Sequence, residues 1–92
     1  MKKDKLDNDL KVGDYIGLCN AGGSMLIGQI YGFKKARMHY LRYYENFRTC
    51  QSYTTRYTDC VKIHEDLVPN QIKKKLEPEF NDLSRKMERG II

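Results

Sequence analysis

The chain has 92 residues, 40% of them hydrophobic and 32% charged, with a net charge of +5. This is the size of one domain with one small core, and the composition of a soluble globular protein. No apolar run approaches the length that spans a bilayer, and the N-terminal MKKDKLDNDL lacks the hydrophobic segment of a secretory signal, so neither a membrane nor export is expected.

Residues 1–9 are polar and alternate in charge, which predicts a flexible N-terminal arm. Gly13-Asp14 favours a turn. A first strand, Tyr15–Cys19, follows, with Ile16 and Leu18 as its core face. Asn20–Ser24 is a loop rich in residues that tolerate positive φ. The second strand, Met25–Phe33, is apolar on both faces. Simple alternation puts Met25, Ile27, Tyr31 and Phe33 on one face, and Leu26, Gly28, Ile30 and Gly32 on the other. A strand that serves two cores and bends at glycines suits a tightly curled sheet.

Lys34-Lys35 is a polar turn, and Ala36–Tyr44 a third strand with Met38 facing inward. Glu45-Asn46 supplies the next turn. Phe47–Asp59 is rich in Thr and Tyr and reads as a solvent-facing fourth strand, with Tyr53, Thr55 and Tyr57 on one face and Thr54, Arg56 and Thr58 on the other. Cys60–His64 is a short fifth strand with Val61 and Ile63 inward. Pro69 starts a short helix, Asn70–Leu76. Pro78 is expected to break or restart it. Phe80, Leu83 and Met87 then form an apolar stripe, with Gly90 as C-terminal cap. The stripe packs on the sheet or serves a partner or a homo-oligomer. The predicted fold is mainly β: a small five-stranded antiparallel SH3-like barrel over residues 10–68, with a helical extension over 69–92. Ile16, Leu18, Ile30, Val61 and Ile63 are its expected core.

Lys11-Val12-Gly13-Asp14-Tyr15-Ile16, followed by Gly28-Gln29-Ile30, resembles the opening of small SH3-like barrels of the KOW and Tudor kind. Continued by VKIHEDLVPNQIKKKL, the order also resembles small barrel proteins encoded by bacteriophages, in which a last strand runs into a proline-started helix. The resemblance covers Leu10 to Leu76. It implies a barrel that binds RNA, DNA, peptides or other proteins.

Catalytic chemistry is not expected. The chain holds no phosphate-binding loop with a following Lys-Ser/Thr, no His-Glu-x-x-His and no nucleophile elbow. Three cysteines, Cys19, Cys50 and Cys60, are an odd number at irregular spacing, as in a cytoplasmic protein with reduced thiols. Cys60 and His64 are the only close pair of metal-ligand type. On a strand they stand about 13 Å apart, so no metal or other cofactor is expected.

The remaining signal is charge interleaved with aromatic rings. Residues 12–44 carry Lys34, Lys35, Arg37 and Arg42 against Asp14 alone, and Lys73-Lys74-Lys75 adds to the excess. Tyr31, Lys34, Lys35, Arg37, His39, Arg42 and Tyr43 lie on consecutive strands, and Tyr53, Arg56 and Tyr57 follow on the next. Tyrosines stack on bases while Arg and Lys meet phosphate. These ten residues predict a binding face for a nucleic acid or a small nucleotide. The alternative is a module that binds a host protein through the polar segment Phe47–Asp59 or the terminal helix, since Tyr and Arg also make protein-binding hot spots.

Overall fold

The computed structural model describes residues 2–19, 25–44 and 48–91. The expected loop Asn20–Ser24, the turn Glu45-Asn46 and Phe47 lie outside the described residues. Five strands form: β1 (Tyr15–Cys19), β2 (Met25–Lys34), β3 (Arg37–Tyr44), β4 (Thr49–Thr55) and β5 (Val61–Ile63). Helix α1 (Asn70–Glu88) follows. Among the described residues, no helix is long and apolar enough to cross a membrane.

All pairings are antiparallel, in the order β4-β3-β2-β1-β5. The mainly β architecture with a C-terminal helix matches the sequence reading. Closure into a barrel does not occur. The chain leaves β4 through one 3₁₀ turn, Tyr57–Asp59, and lands three residues of β5 against β1 at the far edge. A strand this short completes one ladder and leaves the seam open. A cleft of about 450 Å³ lies there, lined by Thr55 on one side and Gly17 and Val61 on the other.

The expectation that β2 serves two cores is met. On the inner face, Leu10, Ile16, Leu18, Ile30, Met38, Tyr40 and Cys60 are buried together, flanked by Leu26, Phe33, Tyr53 and Tyr57. On the outer face, Tyr31 and Leu41 are buried beneath Leu76 of α1, with Ile72, Phe80, Leu83 and Met87 around them. The division of β2 differs from simple alternation, because a β-bulge intervenes. Ile30 pairs with Tyr40 but Gly32 pairs with His39, leaving Tyr31 as an extra residue. The phase then changes. Tyr31 points to the helix while Phe33 points to the inner core.

The expected core also needs correction at β5. Ile16 pairs with Lys62, whereas Gly17 and Tyr15 pair with Val61 and Ile63. Directly paired residues share a face, so Val61 and Ile63 turn away from Ile16. Both are half-buried and lie outside the two clusters. Cys60 fills the inner position instead, 1% exposed, with its thiol on the Tyr57 carbonyl at 3.4 Å.

Pro78 does not break the helix. α1 runs through it from Asn70 to Glu88. Proline removes one N–H and crowds the carbonyl four residues earlier. The helix persists because Ile72, Leu76, Phe80, Leu83 and Met87 form one stripe spanning the proline and packed on the sheet, with Leu76 fully buried. Beyond Arg89, Gly90 (φ 73°) donates to the Met87 carbonyl and Ile91 donates to Lys86, a Schellman ending.

The predicted flexible arm is held in place. Asp4 is 4% exposed and accepts from the Leu6, Asn8 and Lys62 amides at 2.9, 2.7 and 2.6 Å. Lys5 donates to the Cys60 carbonyl, so residues 2–9 fold against the outer edge of β5.

Candidate functional site

Alternation along β3 sends Arg42 and Tyr44 to the inner face with Tyr40, and His39, Leu41 and Tyr43 to the helix face. The β3–β4 register sets Tyr53 opposite Tyr40 and Gln51 opposite Arg42. Four side chains near the end of β3 thus meet on the inner face. The Arg42 guanidinium lies 4.2 Å from the Tyr44 ring centroid, a cation–π contact, and Nη1 donates to the Tyr44 hydroxyl at 3.1 Å. The Tyr44 and Tyr53 hydroxyls bond to each other, and Tyr53 donates to Gln51 Oε1 at 3.1 Å. A hydroxyl has one proton to give. The chain therefore runs one way: Arg42 to Tyr44, Tyr44 to Tyr53, Tyr53 to Gln51. The Tyr53 ring stacks on Tyr40, with centroids 5.8 Å apart, which fixes its plane from behind.

These contacts orient Arg42 through one of its donors. A guanidinium has five, and the other four make no side-chain hydrogen bond among the described residues. Among the described residues, no carboxylate lies within ion-pair distance of Arg42, nor of Lys34, Lys35, Arg37 or Arg56. The ion pairs that do form, such as Lys62–Asp14 and Lys86–Asp82, lie elsewhere. Arg42, Tyr44 and Tyr53 are all half-buried, with one face of Tyr44 covered by Arg42 and one face of Tyr53 by Tyr40.

Tyr43 faces the other way. It lines a pocket of about 320 Å³ between the sheet and α1, with Gln71, Ile72, Lys74 and Lys75. Beside it, the Cys50 thiol donates to the Lys75 carbonyl at 3.4 Å. Burial, then Glu79, push that thiol above its ordinary pKa, with Lys75 opposing. Burial, then Asp4 and Asp59, push Cys60 up to about 11. Neither cysteine carries the thiolate of a nucleophile at neutral pH.

The ten residues singled out from the sequence do not form one continuous face. Arg42 and Tyr53 share the inner-face cluster, and Tyr43 lines the pocket behind it. Tyr31 is 4% exposed beneath the helix, edge-on to His39 with centroids 5.9 Å apart, and is not available for stacking. Burial, then Lys34, lower the pKa of His39, leaving it neutral at pH 7. Lys34, Lys35 and Arg37 are exposed at the β2–β3 turn, at the opposite end of β3 from Arg42. Arg56 is exposed just after β4, and Tyr57 packs edge-on against Phe33 at 5.8 Å.

Sequence reasoning missed Tyr44, Gln51, Lys74 and Lys75 as site residues. Tyr44 was within reach, since it lies two residues from Arg42 and shares its face on any strand. Gln51 follows only from the register. Cys60 and His64 are also separated in character: Cys60 is in the core, while the exposed His64 accepts from the Asp66 amide at 3.1 Å. Among the described residues, no three His, Cys, Asp or Glu side chains group to hold a metal ion. No protein-family model matches the chain, and no curated protein or solved structure is significantly similar to it.

Proposed function

We propose that this protein is a non-catalytic binding module of the small SH3-like kind found in bacteriophages, acting in the cytoplasm on an anionic ligand. The leading ligand is single-stranded nucleic acid or a nucleotide. The observation that carries the reading is Arg42, held over Tyr44 and aligned by the Tyr44–Tyr53–Gln51 chain, with no carboxylate among the described residues to neutralise it. A preoriented guanidinium beside two half-buried tyrosine rings suits a phosphate next to a base. Lys74 and Lys75, on the helix face with Tyr43, extend the positive field without specifying sequence.

The resemblance to SH3-like barrels is part of this proposal. The strand order β4-β3-β2-β1-β5 and the 3₁₀ turn between β4 and β5 support it. The test is a titration of labelled oligonucleotides and of mono-, di- and cyclic nucleotides at two salt concentrations. Phosphate contacts predict affinity that falls steeply as salt rises. Absence of binding across the whole panel rejects this reading. The second reading, a module that binds a host protein, is favoured by one observation: the outer edge of β4 is unpaired among the described residues.

A further inference from the structure

The two edges of the sheet are treated differently. At β5, the Lys62 amide is taken by Asp4 Oδ2 and the Cys60 carbonyl by the Lys5 amide. The N-terminal residues therefore guard that edge. At β4, among the described residues, no backbone–backbone hydrogen bond joins Thr49–Thr55 to any element except β3. Sheets usually protect such an edge with lysine, proline, a bulge or a covering segment. The β4 sequence, TCQSYTT, has neither charge nor proline, and its seven pairs with β3 run without a register shift. It is an unbroken ladder whose other side is open among the described residues.

The charge around this edge is mostly basic, with Glu79 near Cys50 and Asp59 near Thr55 as the neighbouring acids. Arg48 and Arg56 flank the strand, both exposed and outside any ion pair among the described residues. Residues 25–58 contain six Lys and Arg against the single acid Glu45. A strand added here sends alternate side chains to the two faces. One face offers Arg42 beside Gln51, the other Lys75 and Glu79 beside Cys50. A second copy is a poor occupant. Antiparallel pairing of all seven residues centres on Ser52 and sets Arg48 opposite Arg56 of the other copy, at both ends. Like charges directly opposite destabilise a ladder.

We propose that the β4 edge accepts an extended acidic peptide segment of another protein as a sixth strand, through main-chain hydrogen bonds with charge selection by Arg48 and Arg56. This goes beyond the anion reading, because it needs the edge of the sheet and no base stacking.

The test uses a labelled octapeptide of alternating Glu and Val. Its controls are the same peptide N-methylated at two adjacent central residues, which blocks the ladder whichever way it faces, and a Lys–Val counterpart. The acidic peptide should bind and should slow hydrogen exchange at amides within Thr49–Thr55. The methylated and basic peptides should bind at least tenfold more weakly. Arg48→Glu with Arg56→Glu should weaken the acidic peptide at least tenfold with the melting temperature unchanged. Equal binding of the methylated peptide, protection outside β4, or no binding overturns the proposal. A dimer strengthened by Arg48→Glu also overturns it, by assigning the edge to a second copy. Oligonucleotide binding without peptide protection of β4 sinks this inference alone. Peptide protection without oligonucleotide or nucleotide binding sinks the anion reading alone.

Discussion

Met87 occupies the space that a side chain at position 32 would fill. A Cβ on Gly32 would stand 2.5 Å from Met87 Cγ and 2.8 Å from its Cε. The glycine lies just past the bulge in β2, on the face that receives α1. The absence of a side chain there lets the last turns of the helix settle on the sheet.

Gly32→Val should therefore lift the end of α1 and destabilise the protein by about 1–3 kcal/mol, the usual cost of overpacking. Urea unfolding measures it. Gly32→Ala and Met87→Ala should each destabilise alone, and together by less than their sum. Strict additivity would show that the two positions do not share one space.

Asp4 should make the fold sensitive to acid. Burial raises its pKa, but the bonds from Lys62, Asn8 and Leu6 together outweigh burial and hold it below its ordinary 3.8. A carboxylate depressed on folding contributes stability that is fully present above the unfolded value, and is lost as pH falls through the folded value. Thermal melts from pH 6 to pH 2 should show this loss beginning near pH 4. Asp4→Asn should lower the melting temperature at pH 7, because one oxygen becomes a donor facing amides that also donate. It should also flatten the acid dependence. An unchanged acid limb in the variant would assign that dependence to other carboxylates.

Pro78→Ala should stabilise the protein. The exposed proline interrupts one helical hydrogen bond in a helix held by packing on both sides of it. Restoring the N–H should be worth about 1–3 kcal/mol. Calorimetry would detect a gain of this size. A loss would mean that the packing of the helix depends on the proline itself.

The parts of the fold legible in the sequence were those set by local pattern. Ile16 and Leu18 alternate within a short strand, Met38 and Tyr40 do the same, and Phe80, Leu83 and Met87 keep a helical period. Each landed where its period put it. The inverted positions depend on long-range registration. The bulge at Tyr31 is a property of how β2 meets β3, and a single extra residue exchanges the faces of everything after it. Val61 and Ile63 look like core residues by hydropathy, yet the turn before them delivers Cys60 to the inner face. Pro78 misleads because packing outweighs local preference. Asp4 looked like one charge among many, since the amides it binds lie as far away as Lys62. The candidate site was half legible for the same reason. Arg42 and Tyr53 were visible as residue types, but their union through Tyr44 and Gln51 depends on the β3–β4 register.

Ile30→Ala tests the inner core. Ile30 is fully buried beside Ile16, Met38 and Tyr40, and its truncation should cost about 2–5 kcal/mol. Unfolding in denaturant would read this directly. A cost under about 1 kcal/mol would imply a loosely packed inner face.

The central claim is that Arg42 receives an anion. The most direct measurement is titration of labelled single-stranded oligonucleotides and nucleotides against the unaltered protein and Arg42→Gln, at low and high salt, with melting temperatures recorded in parallel. A charge-assisted bond is worth about 1.5–3 kcal/mol. The variant should then bind about ten- to a hundredfold more weakly, with a shallower salt dependence and a melting temperature lowered only by the loss of the Tyr44 contacts, with the protein still folded. Equal affinity of the two proteins, or no binding by either, would contradict the claim.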